Sequence, residues 1–134
     1  MKTTTVSALF LVAALYDGLL GLAFLVAADW IFQYAQVTPP NHLGYVQFPG
    51  AVLMIFGLMF AAIARRPQEN RGLIPYGILL KVSYCGVAGY HWLASGIPAL
   101  WKPFAVIDLI FSALFLLAYR SLGQLTHSGP AAGV

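Results

Sequence analysis

Four runs of about twenty residues each carry almost no charge: roughly 6–28, 44–64, 73–95 and 99–119. At a rise of about 1.5 Å per residue, about 20 residues of helix cross a hydrocarbon core of about 30 Å. Lipid offers backbone N–H and C=O groups no partner, so a spanning segment is either a helix or a strand of a closed barrel. The runs show no alternation of period two, and four strands are too few to close a barrel, so helices are predicted. The expected fold is therefore all-α, an integral membrane bundle of four transmembrane helices forming a single domain over residues 1–134. Composition agrees. Of 134 residues, 60% are hydrophobic and 8% charged, whereas a soluble domain carries about a quarter charged residues. Too few charges remain to cover a surface that faces water.

The punctuation between the runs supports the same reading. Pro39-Pro40-Asn41 marks the first loop, Arg65 to Arg71 the second, and Ser95-Gly96-Ile97-Pro98 a tight third turn. Pro49, Pro75 and Pro103 fall in or near the expected first turns, where a missing N–H costs least. Residues 29–36 read as a short interfacial helix, and 121–134 as a flexible tail. Val26-Ala27-Ala28 would pass as a signal-peptide cleavage site. The preceding apolar run is too long for an ordinary leader and contains Asp17, so retention is expected. No internal repeat aligns the two halves, so an inverted-repeat transporter is not indicated.

Basic residues set the expected orientation. Lys2, Arg65, Arg66, Arg71 and Arg120 fall on one side of the four spans and Lys102 on the other, which places both termini in the cytoplasm. The formal charge of +3 is thus a membrane-topology signal, and no nucleic-acid partner is expected. Trp30, Trp92 and Trp101 lie at the opposite ends of their helices, with Tyr34, Tyr45 and His91 nearby, as in an interfacial aromatic belt. The expected partners are the lipid bilayer and either other membrane subunits or further copies of the chain. The expected location is a bacterial inner membrane.

Three charges interrupt the apolar runs. Asp17, Lys81 and Asp108 each lie about 8–11 residues from the cytoplasmic end of their helix, a depth of roughly 12–17 Å. Equal depth on three helices is what a shared network requires. Each isolated charge costs about 2.5–3.5 kcal/mol at a helix centre, so pairing of the ammonium with the carboxylates is expected. Their protonation is then one coupled titration. Tyr84 lies on the face of Lys81 and Ser112 on that of Asp108, so both are candidate members of the network. Small residues flank it, Ala14, Gly18 and Gly21 in the first run and Gly77 and Ala88 in the third, while Gly50 and Gly57 of the uncharged second run can make a packing stripe. Two readings of the network stay open. One is a structural lock that fixes helix register. The other is a proton or cation relay, or a site for a polar or charged ligand.

Other chemistry finds little support. His91 has no second intramembrane histidine for a haem. His42, His91 and Asp29 have no spacing that demands zinc. No cofactor or metal is expected, and no catalytic residue is assigned. There is no Cys-x-x-Cys motif, no phosphate-binding glycine loop and no Ser–His–Asp set. Cys85, the single cysteine, reads as a buried thiol and says nothing about redox compartment. Trp30, Trp92 and Trp101, with His42 and His91, are outer-interface candidates. They form either a belt or the mouth of a site for an apolar ligand or quinone head group.

In length, hydropathy and topology, residues 6–120 resemble the small four-helix bacterial membrane proteins called DoxX-like. Pro40-Asn41-His42 with Gln47 and Gly50, then Ala64-Arg65-Arg66-Pro67 and Asn70-Arg71, are similar to segments of other bacterial membrane proteins. The resemblance implies at most association with electron-transfer or quinone-linked complexes. Three functions are carried forward. The first is a non-catalytic accessory or structural subunit of a membrane complex. The second is an oligomeric proton-coupled transporter or channel for small solutes. The third is a membrane enzyme acting on a lipophilic substrate, and the balance leans against catalysis. A pure lock predicts Lys81 within ion-pair distance of both carboxylates and no cavity. An enzyme predicts an apolar pocket that ends at a carboxylate.

Overall fold

The structure is a computed structural model that describes residues 1–127. It contains helices α1 (Thr3–Val26), α2 (Ala28–Tyr34), α3 (Gly44–Arg65), α4 (Ile74–Ala94) and α5 (Lys102–His127), with one 3-10 turn at Arg71–Leu73. There is no strand among the described residues. All the helices except α2 are long and apolar enough to cross a membrane.

The element bounds depart from the expected ones for local reasons. At Ala27 the backbone leaves the helical region (φ −132°, ψ 25°), so α1 stops there and α2 begins one residue later. Residues 98–101 form turns in which Trp101 N–H donates to the Pro98 carbonyl, so α5 starts at Lys102 rather than at 99. At its other end α5 passes the expected exit at Tyr119 and takes in 121–127, where a flexible tail had been expected. Leu122 is fully buried there, and Ser121 Oγ donates to the Leu117 carbonyl while accepting from the Met1 amine. Residues 128–134 of that expected tail lie outside the described residues. Pro75 sits in the first turn of α4, but Pro49 lies inside α3. Its ring removes the N–H that would otherwise donate to the Tyr45 carbonyl four residues back.

Packing follows the small residues. The α1 and α3 backbones approach closely where Gly21 meets Gly50. A Cβ on Gly21 would collide with the Gly50 carbonyl oxygen, and one on Gly57 would lie 3.0 Å from Gly18 Cα. This is the close approach that small residues permit between helices in lipid. The other intimate pair is α4 with α5. One end of the bundle is filled by an aromatic core. Phe10 stacks on Phe115 at 4.5 Å between centroids, and Phe60 meets Phe115 at 5.2 Å. Gly77 makes room for Phe60, whose ring edge would lie 2.6 Å from an added Cβ. Beside this core the 66–73 turn is tied down. Arg71 Nε donates to the Tyr119 carbonyl at 3.0 Å, its guanidinium lies 3.9 Å from the Tyr119 ring centroid, and Asn70 Nδ2 donates to the Ala62 carbonyl. The N-terminus, the 66–73 turn and the C-terminal part of α5 therefore share one end of the bundle.

Candidate functional site

Halfway along the bundle, the aromatic core gives way to three charges. Asp17 on α1 and Asp108 on α5 converge on Lys81 of α4. Lys81 Nζ donates to Asp17 Oδ1 at 2.6 Å. It also lies 2.8 Å from Asp108 Oδ1, an ion pair whose alignment falls short of a hydrogen bond. Lys81 is 0% exposed, Asp17 1% and Asp108 7%. The rings of Tyr16 and Phe111 flank the ammonium at 5.0 and 5.4 Å. Charges this deeply buried are sustained only by each other. The expectation that equal depth brings the three together is met by this geometry.

The two neighbouring candidates behave differently. The Tyr84 hydroxyl donates to the Trp101 carbonyl at 2.9 Å, and Ser112 Oγ donates to the backbone carbonyl of Asp108 at 2.9 Å. Neither hydroxyl reaches a charged group. Ser112 satisfies its own helix in the usual way for a hydroxyl inside a helix. Among the described residues, three buried side-chain polar atoms keep no hydrogen-bond partner: Asp17 Oδ2, Asp108 Oδ1 and the Tyr16 hydroxyl.

Beyond the charges, away from the aromatic core, the helices part. They leave a cavity of about 470 Å³. Asp17 and Asp108 form its polar floor, and Leu20, Phe24, Leu53 and Phe104 are among its walls. Tyr16, Tyr45, Tyr84 and Trp101 also line it, whereas Lys81 does not. Tyr45 and Phe48 belong to the wall and are 70% and 72% exposed, so the cavity opens to the outside of the bundle. The chain therefore has both the ion pairing of a lock and a pocket that a pure lock would lack.

The outer-interface candidates divide. Trp101 turns inward, stacking on Phe24 at 5.7 Å and meeting Phe32 edge-on at 6.1 Å. Trp30 is exposed and stacks on Tyr34, while Trp92 lies on the surface with Lys102 Nζ 5.2 Å from its ring centroid. His42 Nδ1 accepts from the Gly44 N–H, and the exposed His91 packs against the Tyr90 ring. No group of three or more His, Cys, Asp or Glu side chains that could hold a metal occurs among the described residues. Cys85 donates weakly to the Ala105 carbonyl.

Sequence reasoning passed over most of the cavity wall. Phe24, Leu20 and Phe104 look like ordinary apolar helix residues. Their signal was the spacing from the charges: Leu20 and Phe24 lie three and seven residues after Asp17, and Phe104 lies four before Asp108. Each therefore sits one or two turns outward on the face of a charge. No protein family, no curated protein and no solved structure matches this chain.

Proposed function

We propose that this chain is a small multi-pass membrane protein, with both termini cytoplasmic, that binds a lipophilic small molecule without transforming it. One observation carries the reading: an open cavity of about 470 Å³ with apolar and aromatic walls that ends on two buried carboxylates. Pockets of about 300–1,000 Å³ with apolar walls and a few convergent polar groups are the usual form of small-molecule sites. The non-catalytic part rests on the walls themselves. They include no histidine or cysteine, and both carboxylates are already paired with Lys81. The orientation rests on the arginines gathered at the end that also holds the N-terminus.

The test is to extract the protein from its native membrane into lipid nanodiscs and identify by mass spectrometry the small molecules that travel with it. A stoichiometric lipophilic compound, absent from a Leu20→Trp variant that fills the cavity, is the expected result. Wild type and variant carrying the same bulk lipids and nothing else would refute the reading. A fusion reporter at the C-terminus checks the orientation independently.

A second reading, the accessory subunit, draws on α4. Gly86 and Gly89 face open space beside exposed Val82 and Val87. In lipid, such small residues suit close approach by a further helix. Stoichiometric co-purification of another membrane protein would favour this reading.

A further inference from the structure

The cavity has a sign as well as a shape. Asp17 and Asp108 reach its surface, while Lys81 sits behind them, fully buried. One ammonium faces two carboxylates, and the remaining buried polar residue among those described is Ser112. With all three charges ionised, one negative charge is left over on the side that faces the cavity. The free acceptors agree with this count. Asp17 is 1% exposed, and its Oδ2 has no hydrogen-bond partner. The buried hydroxyl of Tyr16, a residue of the wall, has none either. A buried acceptor left unpaired costs about 1–3 kcal/mol, and more when it is charged.

The walls add a second preference. Tyr16, Phe24, Tyr84, Trp101 and Phe104 ring the space above the carboxylates. Aromatic faces attract cations as well as apolar groups. A neutral apolar molecule would fill the volume but leave Oδ2 bare. An anion would meet the carboxylates head-on.

We propose that the cavity takes a lipophilic amine, an apolar body bearing one protonated amino group, which donates to Asp17 Oδ2 and the Tyr16 hydroxyl. The second ammonium stands on the opposite side of the carboxylates from Lys81. The four charges then alternate and sum to zero. This inference rests on the ligand-binding reading and adds the chemical class of the ligand.

The experiment is calorimetric titration of the full chain in phosphatidylcholine nanodiscs, with empty discs subtracted. Three probes share one skeleton: phenylbutylamine, phenylbutanol and phenylbutyrate. A charge-assisted hydrogen bond predicts that the amine binds about 10- to 100-fold tighter than the alcohol. The carboxylate should bind more weakly than either. Asp17→Asn should remove most of the amine's advantage and leave the alcohol's affinity within about threefold. The charge series on the wild-type protein decides the matter even where that variant fails to fold. Equal affinity for amine and alcohol would overturn the proposal and leave the cavity reading standing. Failure of all three probes to bind would overturn both. Discs containing phosphatidylethanolamine separate the two sources of an ammonium group. Competition by that lipid assigns the site to a lipid head group, and its absence to a free amine. Both results support the ammonium chemistry.

Discussion

Removing Lys81 alone should harm this protein more than removing its whole ion network. In Lys81→Met the apolar stem is kept and the ammonium lost, leaving Asp17 and Asp108 without the partner that sits 2.6 and 2.8 Å away. Both carboxylates are at least nine-tenths buried and would be left without a counter-charge. Breaking a buried pair by removing one partner costs about 3–5 kcal/mol. The triple variant Asp17→Val, Lys81→Met, Asp108→Val strands nothing. Replacing a buried network by apolar groups of similar volume is about neutral, or stabilising by about 1–4 kcal/mol. The single variant is therefore predicted to lie at least about 3 kcal/mol below the triple. Reversible unfolding in bicelles, followed by tryptophan fluorescence, measures both. The conservative single changes add a finer test. Lys81 makes its aligned hydrogen bond to Asp17 and only a distance-based contact to Asp108. Asp17→Asn should accordingly cost about 1 kcal/mol more than Asp108→Asn. A triple variant as unstable as Lys81→Met would refute the pairing argument, because the damage would then come from lost packing and not from stranded charge.

Two more perturbations test the packing of the bundle. Gly21→Ala should destabilise by about 1–3 kcal/mol, because its Cβ meets the Gly50 carbonyl and the α3 backbone. Gly18→Ala three residues away meets nothing within 4 Å and should stay within about 0.5 kcal/mol of wild type or gain slightly from helix propensity. The same bicelle assay reads both, and equal losses would show that the α1–α3 approach is looser than described. At the end of α2, Gln36 holds φ 54° in a Schellman cap, with Val37 N–H donating to the Phe32 carbonyl and Gln36 N–H to that of Gln33. Gln36 is exposed, and glycine is the residue that adopts this conformation without a Cβ penalty. Gln36→Gly should raise stability by about 1 kcal/mol, and a loss would mean that the side chain has a role of its own.

Much of the architecture was legible because lipid-spanning length and charge depth are nearly one-dimensional properties. Four apolar runs fixed four long helices, and equal depth brought Asp17, Lys81 and Asp108 together without knowledge of helix order. The ends of α1 and α5 were not legible. The end of α1 depends on a local backbone break at Ala27 and that of α5 on the burial of Leu122, and apolar length displays neither. Whether Trp101 belongs to a belt or to the mouth of a site was left open for a similar reason. Tryptophan at a helix end has the same composition signal whether it faces lipid or turns inward. Only the contacts of Trp101, in the turn before α5, with Phe24 of α1 and Phe32 of α2 select the inward position. The hydroxyls of Tyr84 and Ser112 shared a helical face with the charges, but face does not choose between a carboxylate and a nearer backbone carbonyl.

The ion network and the cavity make sense as one device. An enclosed, empty cavity of about 470 Å³ would cost about 11 kcal/mol at about 24 cal/mol per Å³. That rivals the whole stability of an ordinary domain, about 5–15 kcal/mol. The volume is therefore tolerable only when something enters it, and the exposed Tyr45 and Phe48 on its wall leave the way open. A lipid acyl chain fills volume but cannot satisfy Asp17 Oδ2. An occupant that reaches the carboxylates with a donor group gains both the volume and the missing hydrogen bond. On the ligand-binding proposal, the lysine has a part in that selectivity. By pairing with both carboxylates from behind, it fixes where they stand, and the aromatic core beneath it prevents the floor from collapsing. On this argument Lys81 holds the site in shape, so removing its ammonium should cost ligand affinity before it costs the fold.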